Sequence, residues 1–80
     1  MGEIKFVLDT TLKELNITPN KLSVLTGIRN NTIYSMVNGD AKTISINNLI
    51  LILDCLNNLS KTLNIPKRIS VKDIFIYIEN

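Results

Sequence analysis

The sequence has no histidine and a single cysteine, Cys55. One cysteine cannot close a disulfide within the chain. Without a histidine beside it, neither a Cys/His zinc site nor a Ser-His or Cys-His nucleophile pair can form in one copy. Asp9, Glu14 and Asp54 stand as isolated carboxylates, with no paired acid, metal-ligand cluster or phosphate-binding loop around them. Neither an enzyme nor a bound cofactor is expected from such a residue set. No apolar run approaches the ~20 residues that cross a bilayer. The opening MGEIKFVLD carries acidic residues and no long apolar core, so it does not read as a secretory signal. Gly2 follows Met1, but the residues after it lack the serine or threonine of a myristoylation signal. No membrane contact is expected, and the cytoplasm is the expected location.

The chain is also poor in net charge. Its 80 residues carry a formal +2. Up to Asp40, Lys5, Lys13, Lys21 and Arg29 cancel Glu3, Asp9, Glu14 and Asp40. The excess lies beyond, where Lys42, Lys61, Lys67, Arg68 and Lys72 face Asp54, Asp73 and Glu79. This favours an anionic partner only mildly. The length predicts one domain over residues 1–80, with a modest core that buries about two thirds of the unfolded chain's surface. Mean hydropathy is positive, and an apolar excess in a small domain suggests surface buried against a partner.

What the chain does have is helical spacing with explicit start signals. Glu3–Val7 alternates, as a short strand or an extended arm would. Leu8, Leu12 and Leu15 then share a helix face, predicting helix one over about Leu8–Asn16. Four later starts follow one pattern, in which an isoleucine precedes a cap position and an apolar residue follows at N4: Ile17 with Leu22, Ile28 with Ile33, Ile44 with Leu49, Ile69 with Ile74. Each pair has the spacing of a hydrophobic staple. Thr18, Ser45 and Ser70 are good caps, Asp73 adds a capping-box acid to Ser70, and Pro19 fits N1. Arg29 is the exception, since a guanidinium cannot accept the free N–H groups of a helix start; either that helix is uncapped or Asn30 takes the role. Helix two is predicted over Pro19–Thr26 and ends at Gly27. Helix three runs from about Asn30 to Val37 and stops at Asn38–Gly39. Helix four starts after Ser45 and runs to about Asn64 on a stripe of Leu49, Ile52, Leu53, Leu56, Leu59 and Leu63, with Ser60 on the same face, and Ile65–Pro66 stops it. For Ser70–Glu79 the cap predicts a fifth helix, whereas the composition of IFIYI fits a strand; the helix is the reading adopted.

Helix, glycine turn, helix is the sequence form of a DNA-binding helix-turn-helix. The stretch LTGIRNNTIYSMVNG, preceded by ITPNKLS and followed by an amphipathic helix opening with IS, resembles the lambda-repressor/Cro (Xre-type) helix-turn-helix family. The tail ISVKDIFIYIEN resembles the closing helix of small phage-type members. The resemblance covers about Lys5 to Glu79, apart from an insert near Asn57–Arg68. It implies an all-α, five-helix domain with the helix-turn-helix at helices two and three. Members are mostly sequence-specific repressors that act as dimers on double-stranded DNA. Leu22, Ile33, Met36 and Val37 would lock helices two and three together, with Ser23 small where they cross. By resemblance, base contacts fall to Asn30, Asn31, Tyr34 and Ser35; an asparagine amide pairs bidentately with adenine. The plainer alternative for the two asparagines is cap and solvent. Phosphate contacts fall to Thr18, Asn20 and Lys21 at the start of helix two, to Asn38, and to the nearby charges Arg29 and Lys42.

Helix four carries more apolar surface than one core needs. Ile50 and Leu51 lie off the main stripe, Cys55 and Thr62 continue a second line, and Leu59 lies between the two. A helix with two apolar sides contacts two things. Ile50, Leu51, Cys55 and Leu59 are therefore the expected homodimer interface, which would place two reading helices ~34 Å apart. A rival pairing uses IKFV and IFIYI as strands of an intermolecular sheet. The expected function is a DNA-binding transcriptional regulator. The alternative is an antirepressor or antitoxin that uses this fold to grip a protein partner.

Overall fold

A computed structural model describes residues 2–79. The elements in chain order are β1 (Glu3–Phe6), α1 (Leu8–Glu14), α2 (Pro19–Thr26), α3 (Asn30–Val37), α4 (Ile46–Thr62), a short 3-10 turn (Val71–Asp73) and β2 (Phe75–Ile78). All four anticipated cap positions hold: Thr18, Arg29, Ser45 and Ser70 each precede a helical segment. The Thr18 hydroxyl accepts from the Lys21 N–H at 3.1 Å, and the Ser45 hydroxyl from the Asn48 N–H at 3.0 Å. Arg29 holds the N-cap of α3 without a side-chain bond, so this helix starts uncapped.

Three helices end in the same way. After α1, Ile17 N–H reaches back to the Leu12 carbonyl and Asn16 N–H to Lys13. After α3, Asp40 N–H reaches Ser35 and Gly39 N–H reaches Met36. After α4, Ile65 N–H reaches Ser60 and Asn64 N–H reaches Lys61. These are Schellman closures, and the residue at the bend is left-handed in each: Asn16 at φ 58, Gly39 at φ 79 and Asn64 at φ 57. The closures stop α1 at Glu14 and α4 at Thr62, two residues short of the expected Asn16 and Asn64.

The larger departure is at the C-terminus, where the expected fifth helix is replaced by strand. Among the described residues there are four α-helices and a two-stranded sheet, so the domain is not all-α. Ser70 and Asp73 do start a helical turn: the Asp73 carboxylate accepts the Ser70 N–H at 2.9 Å. It lasts three residues, and Ile74 is then fully buried. From Phe75 the β-branched and aromatic run pairs antiparallel with β1, in the register Phe6↔Phe75, Lys5↔Ile76, Ile4↔Tyr77 and Glu3↔Ile78. Phe6 and Phe75 meet edge to face, with ring centroids 6.0 Å apart. The two segments of the rival intermolecular sheet thus pair within one chain.

One core joins these elements. Leu8, Leu12 and Leu15 of the first helical face meet Leu22, Ile28, Ile33 and Met36 of the helix-turn-helix, Ile52 and Leu56 of α4, and Ile69 and Ile74 of the closing segment. Val37 packs at its margin. Leu63, expected on the core stripe, is 49% exposed because α4 closes just before it. No helix among the described residues is long and apolar enough to cross a membrane.

Candidate nucleic-acid interface

The turn between α2 and α3 is fixed by short-range bonds. Gly27 is left-handed at φ 78, and its N–H donates to the Ser23 carbonyl. The Ser23 hydroxyl donates to the Ile28 carbonyl, and the Thr26 hydroxyl donates to Leu22 while accepting the Ile28 N–H. Ser23 therefore ties down the turn, which is a more specific job than being small at a crossing. Ile28 is buried at the bend. With Leu22, Ile33 and Met36 buried as well, the angle between α2 and α3 is set by packing on one side and by hydrogen bonds on the other.

That packing leaves the opposite face of α3 outward. Asn30, Asn31 and Tyr34 are exposed, with Asn38 one turn further on. Ser35 is half-buried, and its hydroxyl donates to the Thr32 carbonyl at 2.8 Å. It is thus more committed to its own helix than its three neighbours. Thr18, Asn20 and Lys21 are exposed at the start of α2, and Arg29 and Lys42 are exposed on either side of α3. The cap bond occupies a lone pair of the Thr18 oxygen and leaves its O–H free to donate. Among the described residues, Lys5, Lys21, Arg29 and Lys42 make no ion pair; the pairs present are Lys13–Asp9, Lys67–Glu14 and Lys67–Asp73.

Of the apolar residues assigned to pairing, Ile50 and Leu51 are exposed and Cys55 and Leu59 half-buried. Burial pushes the Cys55 thiol pKa up, so it behaves as a small apolar group. Cys55 and Leu59 share a shallow groove of about 250 Å³ with Asn58, Thr62 and Leu25 of α2. Leu25 and its neighbour Val24 are 45% and 69% exposed. The sequence reading named neither, although both were legible as apolar positions of helix two, Leu25 one turn from Leu22 and Val24 off that face.

The insert is not a loose loop. Asn57 on α4 donates to the Leu53 and Ile69 carbonyls and accepts the Ile69 N–H. The Ser60 hydroxyl reaches the Ile65 and Lys67 carbonyls. Lys67 pairs with Glu14 at 2.8 Å and with Asp73 at 3.4 Å. Lys61, Lys67 and Arg68 face a groove of about 780 Å³ that Asp54 also lines.

The family model described as the Cro/C1-type HTH DNA-binding domain matches residues 7–80. No curated protein and no solved structure was found to match the chain.

Proposed function

The chain belongs to the Cro/C1-type helix-turn-helix DNA-binding family, and from that premise we propose that it is a sequence-specific repressor acting as a homodimer, with α3 in the major groove. The family is one of DNA-binding regulators and not of enzymes. The observation that carries the finer reading is the outward row Asn30, Asn31, Tyr34 and Asn38 on a helix whose other face is locked into the core. Asn30 and Asn31 read base edges, Asn31 being suited to adenine. Tyr34 contacts a thymine methyl or the sugar-phosphate edge, and Ser35 contributes from the margin. Thr18, Asn20, Lys21, Arg29, Asn38 and Lys42 hold the backbone and set register. Arg29 at an uncapped helix start is consistent with that role, because the free N–H groups there and the guanidinium both favour a phosphate.

The test is selection of bound duplexes from a genomic library, followed by titration against salt. The selected duplex is bound more tightly than a scrambled one, and both affinities fall steeply with salt as counterions are released. Asn31→Ala brings the two duplexes together by roughly 1–3 kcal/mol while non-specific binding survives. Equal wild-type affinity for all duplexes at moderate salt overturns the reading. A second reading, a protein-gripping antirepressor or antitoxin, draws on the exposed Val24, Leu25, Ile50 and Leu51, which base reading does not need. A stable complex with another protein, and no shift of DNA, replaces the first reading with this one.

A further inference from the structure

β1 runs alongside the turn that closes α3. Glu3, Ile4, Lys5 and Phe6 line a cleft of about 280 Å³ with Val37, Asn38 and Gly39. This turn carries Asn38, a proposed phosphate contact, but its own backbone has little to offer an anion. The Asn38 N–H donates to Tyr34, Gly39 to Met36, and Asp40 and Ala41 both to Ser35. Every one of these four N–H groups is used inside the molecule. The polar side chains that line the cleft are those of Glu3, Lys5 and Asn38; Lys5 is exposed and makes no ion pair among the described residues.

We propose that Lys5 of β1 is a DNA-phosphate contact, so that the interface extends from the reading helix onto the N-terminal strand. The proposal rests on the DNA-binding reading and adds a contact outside the helix-turn-helix. The sheet is what makes it specific to a place. Lys5 is held opposite Ile76, and the Val7 N–H is held by the Ile74 carbonyl at 2.8 Å. The strand is therefore fixed to the core at the foot of α1 and does not trail as a free arm. Two acids oppose the contact: Glu3, in the same cleft, and Asp40, directly after Gly39. Opposed charges of this kind tune a phosphate contact without abolishing it, because lysine is a point charge on a long flexible stem.

The experiment measures affinity for a library-selected duplex and for its scrambled counterpart between about 50 and 200 mM salt. Lys5→Ala and Lys5→Gln weaken both duplexes by the same factor, leaving the preference between them unchanged. Each lowers the slope of log affinity against log salt by about one, so the gap to wild type narrows roughly threefold to fourfold across that range. Lys5→Arg keeps the wild-type slope. Glu3→Gln moves affinity the other way. Lys13→Ala, which removes an exposed lysine already paired with Asp9, leaves the slope alone. Thermal melts check that the charge-free variants stay folded; Lys5→Gln keeps a polar side chain on the strand where Lys5→Ala does not. A wild-type slope in both charge-free variants overturns the proposal and leaves sequence-specific binding intact. Absence of any DNA binding by wild type overturns the two together.

Discussion

At the residue scale, the closing segment depends on a few polar side chains that are buried or nearly so. Ser60 is only 2% exposed, and its one hydroxyl hydrogen serves two carbonyls. Ile65's carbonyl has a second donor in the Lys67 N–H, so Ser60→Ala strands chiefly the Lys67 carbonyl. The expected cost is about 1–2 kcal/mol, read as a lower urea midpoint at unchanged m-value. A midpoint equal to wild type means the Ser60 bonds contribute nothing to stability. Asp73 makes a pH-dependent contribution. Burial would push its carboxyl up, but the Ser70 N–H bond and the charges of Lys67 and Lys72 outweigh that and hold it below the usual carboxylate range. Lys67 itself is raised, first by its bond to Glu14, and stays charged throughout acid and neutral pH. With Asp73 lowered in the folded state, the unfolded chain takes up the proton first as pH falls. The stabilisation is complete above about pH 4–5, near and above the ordinary aspartate value, and is lost below it. Melting wild type and Asp73→Asn from neutral to strongly acid pH should show a gap that shrinks on the acid side. A gap constant with pH refutes the assignment.

At the element scale, the starts of helices were legible in the sequence and two of their ends were only partly so. Each start after α1 is written locally, as isoleucine, cap position and N4 partner; the Thr18 and Ser45 hydroxyls accept the expected N–H bonds, and Ser70 is held through the Asp73 carboxylate. Gly27 and Gly39 were legible as stops because glycine is the cheapest left-handed residue. Asn16 and Asn64 do the same work with a side chain, and their signal is a shared pattern: Lys13-Glu14-Leu15-Asn16-Ile17 and Lys61-Thr62-Leu63-Asn64-Ile65 both read Lys-x-Leu-Asn-Ile. The two copies end their helices with the same bonds. The last segment was misread because its cap is real but local. A cap starts a turn, whereas the path of the chain beyond that turn is decided by the surfaces it meets in space. Phe75–Ile78 meets β1, from the opposite end of the sequence, and no local pattern announces that partner. The same separation hid Lys5 from the site residues, since its nearness to Asn38 exists only once the sheet has formed. On α3, by contrast, spacing showed only which face lies opposite Ile33 and Met36; the assignment of that face to bases came from the resemblance.

At the scale of the whole molecule, the chain measures 40 × 27 × 20 Å. Half-sites one helical turn apart require reading helices ~34 Å from each other. Dimensions of that order are compatible with two copies in side-by-side contact spanning successive major grooves. The surface suited to that contact joins α4 to α2: Ile50 and Leu51 exposed at 50% and 44%, Leu25 at 45%, and Cys55 and Leu59 half-buried between them. A two-fold interface uses the same patch on both copies, and a patch without lysine or arginine among these five residues avoids placing like charges opposite each other. Leu51→Glu puts a carboxylate from each copy near the axis and should return the protein to the 9.0 kDa of a single chain in sedimentation, from twice that value in wild type. Because the change lies away from α3, affinity for an isolated half-site should stay within a few-fold, whereas affinity for the paired site should fall by far more as the second half-site loses its effective concentration. If Leu51→Glu still sediments at twice the single-chain mass, pairing runs through another face. If wild type is a single chain both free and on DNA, homodimeric repression fails, and the apolar patch is left to a different protein.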